Sequence, residues 1–161
     1  MTETRWLADD EHRAWCALIA MHTQLTARLN RQLQDDSGLS LADFDVLSQL
    51  TDHHEDRARN FELADALQWE KSRLSHHLSR MQRRGLITRE DAPDDGRGAL
   101  VVLTEEGRRA IRQAAPGHVT AVRRYMFDHL DPDQVTALRE VAETVLAQLD
   151  RRAPYPPTTH G

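Results

Sequence analysis

Large apolar side chains recur every three or four positions from residue 7 to about residue 34, a spacing typical of a long amphipathic helix. This stripe, which includes one histidine, consists of Trp15, Leu18, His22, Leu25, Leu29 and Leu33. The polar run Asp35-Asp36-Ser37-Gly38 ends the helix. Ser40 then predicts the N-terminal cap of a second helix, with Asp43 in the capping-box position three residues later.

Two shorter helical patterns lie in the middle of the chain, at residues 61–67 and 71–84, and Asn60 is the expected cap of the first. The apolar face of the second pattern consists of Leu74, Leu78 and Met81. Gly85 follows that pattern as a C-terminal glycine. Only residues 68–70 separate the two patterns, and two helices joined by so short a turn form a helix-turn-helix.

The helical spacing stops after Gly85, and residues 86–91 and 99–103 are typical of two β-strands joined by the turn residues 93–98. Thr104 then caps another helix, whose first turn carries two glutamates at the positive end of the helix dipole. A β-hairpin directly after a helix-turn-helix predicts a winged helix-turn-helix.

The C-terminal part of the chain predicts two helices. Pro116-Gly117 is expected to kink or break the first, and Asp131-Pro132 starts the second. An apolar stripe along the last helix consists of Val135, Leu138, Ala142, Val145 and Leu149. We therefore expect one mainly α chain with a small β-wing. Its predicted parts are a winged helix-turn-helix lobe at residues 38–104, dimerisation helices at 7–36 and 105–152, and a flexible tail at 153–161.

Composition narrows the class of function. The 161 residues are 39% hydrophobic and 29% charged, and the net charge of −5 excludes a uniformly basic nucleic-acid binder but not a local basic face. Cys16 is the one cysteine, so no internal disulfide can form, and no apolar run reaches the ~20 residues of a membrane span. These features predict a cytoplasmic protein. The sequence contains no P-loop, dinucleotide-binding glycine pattern, metal-ligand spacing or nucleophile motif. We therefore expect neither an enzyme nor a cofactor.

The predicted helix at residues 71–84 carries lysine and arginine but no acid, a local excess of positive charge in an acidic chain. With its apolar face on the protein, its other face can lie in the major groove, where basic groups bind phosphates and short polar groups read base edges. The expected DNA contacts are Lys71, Ser72, Arg73, Ser75, His76, His77, Arg80, Arg83 and Arg84. A solvated helix face that binds nothing is the alternative.

Arg97 lies between Gly96 and Gly98 at the tip of the predicted hairpin. Its guanidinium can enter the minor groove, and the two glycines permit a tight turn close to DNA. Asp95 can accept a hydrogen bond from this guanidinium and hold it in place. The alternative is an ordinary exposed turn.

Residues 95–107, DGRGALVVLTEEG, resemble the wing signature of MarR-type transcriptional regulators, D-x-R-x-x-x-V-x-L-T-x-x-G. The matching positions are Asp95, Arg97, Val101, Leu103, Thr104 and Gly107. Residues 38–50 are similar to that family's second helix, and residues 80–90 to the end of its recognition helix and its first wing strand. The resemblance implies a homodimeric regulator that binds palindromic operators and is often released by a small ligand or by oxidation.

A homodimer is also expected because the apolar stripes of the two terminal helices exceed what one winged-helix lobe can bury. A symmetric pair places two recognition helices about one DNA turn apart, which predicts an inverted-repeat operator in double-stranded DNA. We therefore expect a transcriptional regulator, and a repressor is the favoured reading. A winged-helix module that contacts proteins instead of DNA is the alternative.

The resemblance also identifies candidate effector residues. Asp45 and Trp15 match positions used by the urate- and phenolate-responsive branch of the family, so a small phenolic or similar ligand is one candidate. Its pocket is expected between the dimerisation helices and the DNA-binding lobe, lined by Trp15, His22, Asp45, Trp69 and His118. A plain core role for His22 and Trp69 is the alternative.

Cys16 lies about where the peroxide-sensing branch of the family carries its reactive cysteine, which makes redox sensing a second candidate. That branch places tyrosines where this chain has Asn30 and Leu41, so a buried and inert thiol is the favoured prediction. Adjacent histidines on a helix diverge by about 100° and rarely share a metal, so no metal site is predicted.

Overall fold

The computed structural model describes residues 3–91 and 99–149. Over these residues the predicted helices and the two predicted strands are present in the predicted order, with one additional strand. The helices are α1 (Asp9–Ser37), α2 (Leu41–Asp52), α3 (Asn60–Leu67), α4 (Lys71–Arg83), α5 (Glu105–Tyr125) and α6 (Pro132–Leu149). The strands are β1 (Arg57–Arg59), β2 (Ile87–Asp91) and β3 (Ala99–Leu103). Within this part of the chain, no helix combines the length and the apolar character that a membrane crossing requires.

The described residues form two compact units, one that ends at Ala121 and one that begins at Val122. In the first unit the core is built from α2, α3, α4, α5, the end of α1 and the sheet. Its fully buried side chains include Leu33, Leu47, Leu50, Leu63, Leu78 and Val101. In the second unit, no residue of α6 is buried. Apart from the half-buried Leu138, the apolar stripe of α6 is therefore exposed in a single chain.

The junction of α1 and α2 follows the sequence prediction closely. Gly38 ends α1 in the left-handed conformation with φ of 72°. The backbone N–H of Asp43 donates to Oγ of Ser40 (3.0 Å), and the N–H of Ser40 donates to Oδ2 of Asp43 (2.9 Å). This reciprocal pair is a capping box, so the first turn of α2 has its exposed N–H groups satisfied.

The sheet has three antiparallel strands in the order β1-β3-β2, one strand more than predicted. The two predicted strands pair with Ile87 opposite Leu103, and β1 adds to the other edge of β3 with Ala58 opposite Val101. A three-residue strand with one apolar side chain carries no usable alternation in sequence. Only its pairing with β3 defines it.

Helix α5 runs through Pro116 without interruption. Of the predicted kink or break at Pro116-Gly117, the break is therefore wrong, and the kink stays a prediction. Ile111 and Ala114 before the proline and Ala121 after it are buried, and packing on both sides maintains the helix. The hydroxyl of Thr120 donates to the carbonyl of Pro116 at 2.9 Å. Tertiary contacts therefore override the local cost of a proline in a helix interior.

The start of α5 is tied closely to the end of the preceding helix-turn-helix. Thr104 accepts a hydrogen bond from the N–H of Gly107 (3.0 Å) and donates one to the carbonyl of Gly85 (2.6 Å). A Cβ at Gly107 would lie 2.1 Å from the carbonyl oxygen of Leu86 and 2.8 Å from Cδ1 of Leu103. Close backbone approach therefore requires glycine at this position of the wing signature.

Replacing Gly107 by alanine is expected to lower the free energy of unfolding by about 1–3 kcal/mol, the range for overpacking a tight contact. Gly117→Ala in the same helix is the matched control. Its Cβ would meet only side-chain atoms of Gln32 and Asp36, at 3.3 and 3.6 Å, and an alanine favours helix over glycine. Urea unfolding of both variants measures the difference, and equal stabilities would contradict this account of Gly107.

Candidate DNA-binding surface

Helix α4 is amphipathic in the way the sequence predicts. Leu74, Leu78 and Met81 are buried in the core. The exposed residues of the helix are Lys71, Ser72, Arg73, Ser75, His76, Arg80, Gln82 and Arg83. The absence of acid in the helix leaves these cations unopposed along it, so the face can approach a polyanion.

One flank of α4 is organised by aromatic contacts with the turn that precedes it. The guanidinium carbon of Arg73 lies 4.3 Å from the centre of the Trp69 ring, a cation–π geometry. The same Trp69 ring meets the His77 ring edge-on, with 5.4 Å between centroids. Trp69 also packs against the hydrophobic core, as the alternative reading of this residue expects. The ring of Trp69 therefore packs on the core and also contacts the exposed guanidinium of Arg73.

His77 does not lie on the exposed face, and its expected role as a direct DNA contact does not fit its burial, because only 7% of the residue is exposed. Its Nε2 lies 2.9 Å from Oδ1 of Asp43, close but too bent for a well-aligned hydrogen bond. Its Nδ1 lies 3.0 Å from NH2 of Arg80. Helical geometry turns position 77 towards the core, and the sequence offered no sign that Asp43 lies there.

Asp43 is the buried acid beneath this flank of α4. Arg84 donates from NH1 to Oδ2 of Asp43 (2.6 Å) and from NH2 to the carbonyl of Gly38 (2.9 Å). Burial alone would raise the pKa of Asp43. The contacts from His77, the backbone of Ser40 and Arg84 outweigh that effect and hold the pKa well below its ordinary value. Arg84 therefore joins α4 to the start of α2, a structural role that the sequence reading of a DNA contact did not include.

Arg89 on β2 is a residue that the sequence reading missed. Its Nε donates to Oε1 of Gln82 and its NH2 to Oγ of Ser79, both at 2.8 Å. These bonds fasten the first wing strand to α4, so helix and hairpin are held as one surface. An arginine in a short strand gives no sequence signal for such a role, because its partners lie on another element.

The predicted wing tip, with Asp95 and Arg97, lies outside the described residues. The two strands that lead to it are in place, and Asp91 pairs with Ala99 where the described hairpin stops. The proposed roles of Asp95 and Arg97 therefore stay predictions.

The candidate effector residues differ in their exposure to solvent. Trp15 is 55% exposed and His22 is also exposed on α1, so His22 has no core role in the single chain. Asp45 and His118 are half-buried; burial raises the pKa of the Asp45 carboxyl and lowers the pKa of His118. His118 packs on the Phe44 ring with 4.4 Å between centroids, and its buried Nδ1 has no hydrogen-bond partner among the described residues.

Cys16 is exposed on α1, so the prediction of a buried thiol is wrong for the single chain. Its Sγ lies 3.6 Å from Nε2 of His12, one helical turn earlier. The reason is that the first half of α1 has no covering element within residues 3–121, although its spacing is that of a buried stripe. Among the described residues, no three His, Cys, Asp or Glu side chains converge as metal ligands.

Known proteins resemble this chain in both sequence and structure. A family model described as MarR family matches residues 37–98. The transcriptional regulator HosA of Escherichia coli O111:H- is 31% identical over 105 residues, which span 65% of this chain and 74% of HosA. The transcriptional repressor YetL of Bacillus subtilis is 29% identical over 97 residues, 60% of this chain and only 58% of YetL.

A solved structure extends the similarity to nearly the whole chain. Sco3205, a MarR family transcriptional regulator from Streptomyces coelicolor crystallised in complex with DNA, superposes with a TM-score of 0.87 at 39% identity. The superposition covers 93% of this chain and 94% of Sco3205. The proteins that this chain resembles are thus transcriptional regulators rather than enzymes.

Proposed function

Because the chain belongs to the MarR family of transcriptional regulators, we propose that it recognises a specific duplex DNA sequence with α4 in the major groove. The supporting observation is the exposed face of α4, in which basic and short polar side chains stand above a buried apolar stripe. Sco3205, which was crystallised with DNA, resembles this chain over 93% of its length. The hairpin carrying Arg97 would serve as the minor-groove wing.

The functional unit in this proposal is a homodimer on an inverted-repeat operator. Large apolar side chains are exposed on both terminal helices of the single chain. On α1 they are Trp15, Leu18, Ile19 and Met21, and on α6 they are Val135, Val141, Val145, Leu146 and Leu149. Exposed apolar surface of this extent is typical of an interface, and a two-fold pair covers it with the same surface of a second copy.

Repression with release by a small molecule is the proposed mode of regulation. YetL, a relative, is named as a repressor. Asp45 and His118 offer the polar groups for a phenolic or similar ligand, because each is half-buried with a pKa shifted by burial. Trp15, His22 and Trp69 stay candidates for the same pocket. Oxidation of the exposed Cys16 is the alternative trigger.

The decisive experiment for DNA binding is selection from a random duplex library with the purified protein, followed by fluorescence anisotropy on the selected sequence and a scrambled one. Enrichment of an inverted repeat with half-sites one helical turn apart is the expected result. A dimeric protein that enriches no sequence would instead be the winged-helix protein-interaction module. Adding phenols or hydroperoxides to the bound complex then tests ligand and oxidative release separately.

Arg97→Ala is expected to weaken binding to the selected sequence by about 1–3 kcal/mol, the scale for a specific arginine contact in a groove. Arg139→Ala is the matched control, since Arg139 lies exposed on α6 and pairs with Glu143 at 3.5 Å. Anisotropy titrations at one salt concentration measure both. Wild-type affinity for the Arg97 variant would remove the wing from the proposed mechanism.

A further inference from the structure

The flank of α4 that carries Arg73 and Arg80 is built around a buried histidine. Arg73 precedes His77 by four residues and Arg80 follows it by three, so the three side chains lie in one row along the helix. Both arginines are exposed, whereas His77 is 7% exposed. Two surface cations of the proposed reading face therefore stand directly beside one interior ring.

The contacts of His77 determine which of its nitrogens carries the proton. A guanidinium can only donate, so Nδ1, at 3.0 Å from NH2 of Arg80, must accept. In the neutral ring the proton is then on Nε2, which faces the Asp43 carboxylate at 2.9 Å. Trp69 holds the ring from a third side and supports Arg73 on its own ring. The orientation of His77 is thus set by an acid, an arginine and an aromatic ring.

We propose that His77 is a positioning residue that holds Arg80, and through Trp69 also Arg73, in fixed poses before DNA arrives; this inference rests on the proposed DNA binding by α4. A long arginine side chain that is already oriented loses less freedom on binding. This fixed orientation should favour binding to a specific sequence. Non-specific attraction to phosphates needs only positive charge and no fixed orientation of the side chain. Asp43 connects this arrangement to the capping box of α2.

Two substitutions distinguish the contact of Nδ1 with Arg80 from the contact of Nε2 with Asp43. In His77→Asn the amide oxygen takes the place of Nδ1 and can still accept from Arg80, whereas the contact with Asp43 is lost. In His77→Gln the longer side chain can place its amide N–H near Asp43, but no acceptor remains beside Arg80. The two variants are similar in polarity, and only one keeps the acceptor for the arginine.

The measurement is anisotropy with the sequence selected by the wild-type protein and with a scrambled duplex. His77→Gln is expected to weaken binding to the selected sequence about tenfold while changing scrambled binding less than about twofold. His77→Asn is expected to stay within about threefold of the wild type on both. Equal losses for the two variants, in proportion to their loss of stability in urea, would show a merely structural histidine and overturn the proposal.

A double-mutant cycle tests whether the effect passes through Arg80. His77→Gln should cause at most a small further loss when Arg80 is already alanine, because the directly held group is gone and only the indirect effect on Arg73 remains. The matched cycle uses Arg83→Ala, an exposed arginine of the same helix, in which the full tenfold effect should persist. Additive losses with Arg80→Ala would overturn the positioning role.

The wild-type protein supplies a readout that needs no variant. Long-range proton–nitrogen NMR spectra distinguish the two neutral imidazole forms, and His77 should show a protonated Nε2 and an unprotonated Nδ1. The opposite form would exclude acceptance from Arg80 and overturn the proposal even if both variants failed to fold. A wild-type protein that selects no DNA sequence would overturn the proposed function itself, a result distinct from a wild type that binds while its His77→Gln variant is unaffected.

Discussion

Replacing Asp43 by alanine is expected to lower the free energy of unfolding by about 3 kcal/mol, the lower end of the range for breaking a buried charged contact. Asp43 is 3% exposed and joins the cap of α2 to both His77 and Arg84. The loss stays at the lower end because Arg84, whose side chain is 44% exposed, can turn towards water. Urea unfolding at neutral pH measures it, and a loss below about 1 kcal/mol would contradict a structural role for this acid.

The charge of Asp43 has a characteristic dependence on pH. Its folded-state pKa lies below the ordinary value of 3.8, so its stabilisation is present at pH values above 3.8 and is lost as the pH falls below that value. The difference in stability between wild type and Asp43→Asn should therefore shrink on going from neutral pH to below 3.8. A difference that stays constant over this interval would exclude the charge as its cause.

Asp45→Asn is the internal control, because it removes a carboxylate two residues away whose pKa is shifted in the opposite direction. Burial raises the pKa of Asp45, so its charged form disfavours the folded state at neutral pH. The asparagine variant should be as stable as the wild type or more stable at neutral pH. Its advantage should vanish at a pH below 3.8, where Asp45 is protonated in both states.

Val145→Asp is expected to convert the proposed dimer to a monomer and to weaken binding to the selected operator at least about 100-fold, the gain that two linked half-site contacts provide. Val145 is 50% exposed on the apolar stripe of α6, and a second copy would have to bury the new carboxylate. The substitution changes no residue of α4 or of the wing. The expected loss of affinity therefore comes only from the loss of the second, linked half-site contact.

Sedimentation velocity and anisotropy on the selected duplex measure the two effects together. Ala147→Asp is the matched control, since Ala147 is exposed, points about 160° away from Val145 around α6 and receives the same side chain. It should remain dimeric and bind DNA like the wild type. A Val145 variant that stays dimeric would place the interface elsewhere, and one that becomes monomeric yet binds with unchanged affinity would separate DNA recognition from dimerisation.

Local patterns in the sequence were sufficient to predict most elements and the family. Helix α4 carries its apolar stripe at regular spacing, Ser40 and Asp43 form the expected capping box, and Thr104 with Gly107 forms the expected start of α5. Each of these features depends on residues within one or two turns of each other. Spacing and side-chain chemistry alone therefore determine them.

Contacts between distant parts of the chain decided the rest. Asp43 and Arg84 lie 41 positions apart in the sequence, and their contact gives both a structural role: Asp43 is buried, and Arg84 joins α4 to α2. The DNA contact expected of Arg84 from its charge stays a prediction. Strand β1 exists because β3 pairs with it, and α5 passes Pro116 because the core packs on either side. Hydrophobic periodicity reports which face of a helix turns inward. It does not indicate which polar group of another element lies against that face. For His77 this group is Asp43, which is distant in the sequence.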